Sequence, residues 1–385
     1  MKLQTIGMLI MATTMTVSCG GGSGENSTGN PTGGATVSMV ELGRKLFFDT
    51  NLSSGNNQAC ASCHDPANGF ADPRASVLAP VSEGSVGGEF GNRNAPTAAY
   101  ASYTPQFGVV ASQDQTPETD SNYQGGQFLD GRAATLIEQA KGPFLNPVEM
   151  NNANAAEVVG KVQNASYSAD FLAVFGADAF SDTTTAYNNI ATAIAAFESS
   201  PEVNPFSSKF DAYLAGQYTL TASEQRGFDL FMDANGAKCA NCHTVGDTSE
   251  TSLFTNFRYY NIGTPGNPNN PAYIADNSFV DEGLGASSAI ASADQAAERG
   301  KFRVPTLRNV ELTAPYMHNG VYGTLEEVVI HYDIQVANEY VTPEVNDPNI
   351  AAEMNAGTYS GLNLSAPEDY EDLVNFMKTL TDGYF

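Results

Sequence analysis

One five-residue pattern occurs twice and governs what this chain can fold into: Cys60-Ala-Ser-Cys63-His64 and Cys239-Ala-Asn-Cys242-His243. Two cysteines three positions apart, with a histidine directly after them, form the pattern of covalent haem c attachment. The thiols add to the haem vinyl groups, and the histidine becomes the proximal ligand of the iron. A zinc knuckle or a dithiol redox pair also uses Cys-x-x-Cys, but neither explains a histidine after both pairs. The two copies take four of the five cysteines and two of the four histidines.

The segments ahead of the two copies also repeat. Residues 40–49, Val-Glu-Leu-Gly-Arg-Lys-Leu-Phe-Phe-Asp, lead into the first, and residues 225–233, Gln-Arg-Gly-Phe-Asp-Leu-Phe-Met-Asp, into the second. Both read as short amphipathic helices ending in a polar turn, the way a cytochrome c domain begins. The helix supplies a wall of the haem pocket and the turn presents the cysteines. Near the C-terminus, Leu373, Phe376, Met377 and Leu380 fall on one face of a helix opened by Pro367 and Glu368. Helical periodicity also marks 133–141, 155–163 and 187–197, whereas 251–300 is rich in Asn, Gly, Pro and Ser and reads as loop. The expected fold is all-α: two cytochrome c-like haem domains with long loops and an extended helical N-terminal unit. The first domain spans 38–218 and the second 219–385, with Thr221 or Ser223 capping the helix that opens the second.

The fifth cysteine, Cys19, follows an apolar run from Ile6 to Val17 that is too short to span a bilayer. Residues 1–18 read as a secretory signal. Val17-Ser-Cys-Gly20 matches a bacterial lipoprotein cleavage site, which would put lipid on Cys19; a plain secretory leader is the alternative. Residues 19–37 read as a flexible tether. The expected location is the periplasm, with a lipid anchor to the outer membrane of a Gram-negative bacterium. The chain has 43 acidic and 17 basic residues, a formal charge of -26. Nucleic acid and anionic lipid surfaces are therefore poor partners, and a basic redox protein a better one.

Several further blocks occur in order: Leu42-Gly-Arg44; Asn92-Arg-Asn-Ala-Pro-Thr97; Asp130-Gly-Arg132; Gln139-Ala-Lys-Gly-Pro143; Asn146-Pro-Val-Glu-Met150; and Val304-Pro-Thr-Leu-Arg-Asn309, running into Thr313-Ala-Pro-Tyr316. Over residues 40–382 the chain thereby resembles the bacterial di-haem cytochrome c peroxidases and their relative MauG, the di-haem enzyme of methylamine utilisation. The resemblance implies two haems with different work. One is open to hydrogen peroxide. The other is six-coordinate and passes electrons from a small c-type cytochrome or another periplasmic donor. Glu149 and Gln139 match the family's distal positions, where a carboxylate or amide handles the proton for O–O cleavage. Pro143 matches its distal proline.

Many di-haem peroxidases cap the resting first haem with a histidine one loop after the motif. Residues 65–92 contain none, so a five-coordinate first haem is expected. For the second haem the sixth-ligand candidates are Met317, His331 and Tyr332, with His318 beside them as a packing residue. Residues 325–332 resemble the family's ligand-bearing segment, where cytochrome c peroxidases end on Met and MauG on Tyr. Here that residue is Tyr332, and a phenolate, as a hard anionic donor, favours ferric iron and lowers its potential. The resemblance also implies a calcium ion between the haems, held by the Asn94 side chain and the carbonyls of Thr313 and Pro315.

The chain departs from the family at the relay. A tryptophan precedes Asp-Gly-Arg in the relatives; here Leu129 stands there, and the chain has no tryptophan. Tyr100 and Tyr123 are the aromatic substitutes available. The leading expectation is a peroxidase that reduces hydrogen peroxide. The alternative is a MauG-like oxidase that modifies aromatic residues of a partner protein. A plain electron-transfer cytochrome fits poorly with the block at 139–149. A homodimer is compatible with the resemblance.

Overall fold

The computed structural model describes residues 37–110, 121–234, 236–335, 341–345, 361–364 and 366–385. The expected leader, Cys19 and, but for Val37, the tether lie outside the described residues. Helices dominate what is described: α1 Met39–Phe47, α2 Cys60–Cys63, α3 Leu136–Leu145, α4 Ala155–Gln163, α5 Ser168–Phe175, α6 Thr183–Glu198, α7 Lys209–Leu214, α8 Ala222–Met232, α9 Pro271–Ala275, α10 Leu325–Ile330 and α11 Glu368–Lys378. No helix among the described residues is long and apolar enough to cross a membrane.

Local capping chemistry sets most of these boundaries. Ser38 and Glu41 form a capping box that starts α1, and Thr221 with Glu224 does the same for α8. Thr221, rather than Ser223, is therefore the cap of the second repeat helix. α6 begins four residues before the expected 187 because Asp182 accepts from the Thr185 N–H and starts the helix there. α3 begins at Leu136 behind the cap Thr135, three residues later than expected, because Ala133 pairs in a bridge with Gln127. α4 matches its expected span. The all-α expectation needs one correction. Two antiparallel two-stranded sheets are present, β1 Gly108–Val109 with β2 Tyr123–Gln124, and β3 Tyr259–Tyr260 with β4 Phe302–Arg303. The second lies partly within the region read as loop.

The described residues from Val37 to Phe385 pack as one compact unit that contains two large apolar cores. The first joins Leu42, Leu46 and Phe47 of α1 to Phe144 of α3 and to Ile190, Ile194 and Phe197 of α6. The second joins Phe231 of α8 to Val329 of α10 and to Leu373, Phe376 and Met377 of α11, with Phe210 of α7 added. Each core is organised by one close helix crossing, and a glycine sits at each. A Cβ on Gly43 would lie 1.8 Å from the Ala193 carbonyl oxygen of α6; one on Gly227 would lie 1.9 Å from that of Asp372 in α11. Only glycine lets the backbones approach this closely. Gly43 and Gly227 hold the same place in the two repeats of sequence, so the repeat is structural as well.

Candidate active site

The two Cys-x-x-Cys-His motifs adopt nearly the same geometry. Cys60–Cys63 is one helical turn, closed by the His64 N–H on the Cys60 carbonyl at 2.9 Å. Residues 239–241 form a 3-10 turn, and the His243 N–H bonds the Cys239 carbonyl at 2.8 Å. A spacing of three puts both sulfurs of each pair on one side of the turn. Burial raises the Cys60 thiol and pushes Cys239 up to about 12. A dithiol redox pair needs the opposite shift. Zinc needs a fuller donor shell, and no group of three His, Cys, Asp or Glu side chains that could hold a metal occurs among the described residues. The pairs fit alkylated sulfur held in apolar surroundings.

Each motif histidine is held by the same device. His64 Nδ1 meets the Phe70 carbonyl at 3.1 Å, and His243 Nδ1 meets the Phe254 carbonyl at 2.8 Å. That bond leaves Nε2 to face a metal and orients the ring. Burial lowers the His64 pKa and takes His243 to about 4, so both rings are neutral, as an iron ligand requires. Phe70 and Phe254 both sit at positive φ, 60° and 55°. A threonine clamps the preceding carbonyl in each case, Thr97 on Gly69 at 2.6 Å and Thr306 on Leu253 at 2.7 Å. These two Phe and two Thr residues position the motif histidines, and sequence reading did not single them out. The signal was present as Pro-Thr in both blocks, at 96–97 and 305–306.

Around the first motif, Gln139 and Pro143 lie four apart on one face of α3. Pro143 has no N–H, so the Gln139 carbonyl has no helical donor from that position. The chain then turns: the Glu149 N–H bonds the Asn146 carbonyl at 3.0 Å and the Met150 N–H bonds that of Pro143 at 3.1 Å. This places half-buried Glu149 close enough for its charge to act on both Cys60 and Cys63. Burial raises the Glu149 pKa, against a smaller opposing effect of Asn146 and Arg132. Ala140 and Phe144 of α3 share the apolar core against which Cys60 packs. Glu149, and the helix α3 that carries Gln139 and Pro143, thus lie in the neighbourhood of the first motif.

The second motif opens on an apolar cavity of about 320 Å³. Cys239, Cys242, His243, Met317 and Tyr332 all line it. Tyr332 lies in a π-helical turn, His331–Gln335, directly after α10, a geometry that often marks functional positions. His331 does not line the cavity. It is fully buried, with Nδ1 at 3.0 Å from the Tyr322 hydroxyl and Nε2 at 3.0 Å from the Ile262 carbonyl. His318 lines the cavity, but its Nε2 lies 3.0 Å from Glu344 and its ring stacks on Phe302 at 3.8 Å.

The same cavity reaches the residues expected to hold calcium. Asn94, Thr313 and Pro315 line it, and the Asn94 amide donates to the Pro315 carbonyl at 2.5 Å. Turning the amide over would present Oδ1 in the same place. An amide oxygen and carbonyls are the hard donors that calcium takes. Leu129 and Tyr100 also line the cavity. Tyr123 does not; its hydroxyl donates to Asp294 at 2.6 Å and its ring stacks on Phe107.

The chain is similar to known proteins along most of its length. Residues 37–219 match the family described as di-haem cytochrome c peroxidase. The methylamine utilization protein MauG of Paracoccus denitrificans is 37% identical over 90% of this chain and 89% of its own. The cytochrome c551 peroxidase of Nitrosomonas europaea is 33% identical over 80% of this chain and 77% of its own. The crystal structure of the diheme peroxidase BthA from Burkholderia thailandensis superposes with a TM-score of 0.79 at 34% identity, covering 93% of this chain and 90% of BthA. A Tyr-to-Met variant of BthA gives 0.81.

Proposed function

The chain belongs to the di-haem cytochrome c peroxidase and MauG family and is a peroxidase with two c-type haems; we propose that its first haem site reduces hydrogen peroxide to water while its second passes the electrons. The observation that carries this division is half-buried Glu149, its proton affinity raised, in the neighbourhood of Cys60 and Cys63. Among the described residues, no carboxylate side chain lines the cavity of the second motif.

Cys60, Cys63 and His64 hold the first haem, and Cys239, Cys242 and His243 the second. When bound, the first haem supplies an iron at which the O–O bond is reductively cleaved. Glu149 takes a proton from one peroxide oxygen and delivers it to the other, so that the leaving oxygen departs as water. Gln139 orients the peroxide from the same side, and Pro143 fixes the turn that carries Glu149. Each turnover consumes one peroxide, two protons and two electrons and releases two waters.

Tyr332 is our assignment for the sixth ligand of the second haem. His331 has both ring nitrogens engaged elsewhere, and Met317 is the competitor that shares the cavity. His318 and His331 are both held by other partners, so neither would cap the first haem, and peroxide would reach its site without loss of a ligand. Asn94, Thr313 and Pro315 would hold a calcium ion, which would tie the Asn94 segment to the Thr313 segment. The two haem units run 38–218 and 219–385, with α7 reaching from the first into the second core. Electrons come from a small c-type cytochrome or another donor in the periplasm, which meets an acidic surface. Acylation of Cys19 would tether the enzyme to the outer membrane. A MauG-like oxidation of aromatic residues on a partner protein is the second reading, favoured by Tyr332.

Rapid mixing of the fully ferric protein with hydrogen peroxide, before any reductant, tests the open first haem. The expected result is a fast change in haem absorbance. A protein that stays inert until one electron is supplied has a capped first haem.

A further inference from the structure

We propose that Tyr100 and Asp382 form a proton-coupled redox pair that carries an oxidising equivalent between the first core, to which Tyr100 belongs, and the cavity on which the second motif opens. The proposal rests on the peroxidase reading above. The feature that calls for it is the leucine where a relay ring would stand: Leu129 lines the cavity and no tryptophan exists in the chain. A saturated side chain cannot be oxidised at an accessible potential, so any stepwise transfer needs another ring on the same wall. Tyr260, Tyr316 and Tyr332 share that wall, and Tyr100 is distinguished among them because its hydroxyl donates to a fixed carboxylate. Tyr100 is 2% exposed and lines the cavity together with Leu129, Cys239 and His243.

Its hydroxyl donates to the Asp382 carboxylate, 2.8 Å from one oxygen and 2.9 Å from the other, and accepts from the Phe206 N–H at 3.0 Å. Asp382 is itself fixed, by the Ser207 N–H at 3.0 Å and the Asn309 amide at 2.8 Å. The backbone at Tyr100 is left-handed, φ 62°. A bulky L-residue adopts that conformation at a cost, and surroundings that over-determine it are commonest at functional sites. Arg308 lies over the ring at 4.9 Å, but two bonds to Asp211 answer its charge. The ring therefore does not face a bare cation, which would oppose its oxidation.

Burial, together with the carboxylate, keeps the Tyr100 phenol protonated at neutral pH. A buried phenol cannot lose an electron and keep its proton without placing a positive charge in an apolar wall. The electron and the proton must leave together. The electron goes to the peroxide-oxidised haem site. The proton travels along the 2.8 Å bond to Asp382. The products are a neutral tyrosyl radical and a carboxylic acid. One donor electron and return of the proton restore the pair, with hydrogen peroxide as the terminal oxidant. Tyr123 has a similar carboxylate partner in Asp294 but no place on the cavity wall. Tyr103, its ring 6.4 Å from that of Tyr100 and the residue 38% exposed, is the next phenol toward the surface, with the Phe206 ring against both.

Freeze-quenched electron paramagnetic resonance of the ferric holoenzyme mixed with hydrogen peroxide tests the pair, with ring-deuterated tyrosine to identify the radical. A tyrosyl signal that narrows on deuteration is expected. It should vanish in Tyr100→Phe, fall about tenfold in Asp382→Asn as the charge-assisted bond is lost, and persist in Tyr123→Phe. Haem content and the ferric absorbance spectrum establish that each variant is loaded; if Tyr100→Phe fails there, Asp382→Asn decides. A signal unchanged in the loaded variants overturns the pair. Peroxide consumed with no tyrosyl signal also overturns it, and leaves the peroxidase reading standing. Peroxide left unconsumed by both the ferric and the singly reduced protein overturns both.

Discussion

Glu149 shows how much of the chemistry depends on placement rather than residue type. A carboxylate on an open surface loses its proton below pH 5; burial beside the first motif raises that threshold. The form that accepts a proton from peroxide is the ionised one. Turnover should therefore rise with pH through a limb set by Glu149, lying above the usual carboxylate range. Glu149→Gln keeps the shape and removes the base. Turnover should fall by about 100-fold or more, the limb should disappear, and haem content should not change. Steady-state assays across pH check all three; unchanged turnover would remove Glu149 from the proton path. At this scale the candidate attachment residues stood out because covalent haem attachment requires a fixed spacing in sequence. The candidate distal residues stood out only through the resemblance. The positive φ of Phe70 and Phe254 was not legible, because the same residue type serves equally in a helix or a core. Nor was the burial of His331, which takes it off the list of ligands only once Tyr322 and Ile262 are seen around it.

At the scale of elements, the chain is built twice on one plan: a capped helix, a glycine crossing, then the motif turn. The amphipathic spacing and capping residues were in plain view, so α1, α8 and α11 could be read directly. α5 and α7 could not, since short helices of six to eight residues owe their stability to packing rather than to periodicity. What the crossing demands is also invisible in a pattern that treats glycine as merely a weak helix former. The close approach of α8 to α11 makes Gly227→Ala a sharp test. In an exposed helix that change would stabilise by up to about 1 kcal/mol. Here the added methyl would meet the Asp372 backbone at 1.9 Å, and backbone cannot swing aside as a side chain can. Gly227→Ala should instead cost roughly 3 kcal/mol, read as a lower thermal midpoint, with a disturbed absorbance of the second haem. A neutral or stabilising effect would mean the two helices are further apart than the crossing requires.

Across the whole molecule, the two apolar cores are joined by polar ties that neither core could supply alone. Arg93, between α1 and α3 in the chain, reaches Asp281 far along the sequence with two bonds, 2.6 Å and 2.7 Å, and also bonds Asp130 at 2.7 Å. Burial alone would raise the Asp281 carboxyl, but the Arg93 bonds and charge hold it below the ordinary range. At the C-terminus, Asp382 ties Tyr100 and Ser207 to Asn309. Such ties fix one set of elements against the other, and with it the cavity wall that holds Tyr100, Leu129 and Asn94. Asp281→Ala leaves the buried Arg93 guanidinium with one carboxylate in place of two. Breaking a buried pair in this way costs about 3–5 kcal/mol. If the ties make the molecule one cooperative unit, calorimetry should record a single transition moved to lower temperature. The absorbance changes of both haems should move with it. A loss confined to one haem, with the other melting at its original temperature, would mean that the two cores unfold independently and that Arg93 only decorates their border.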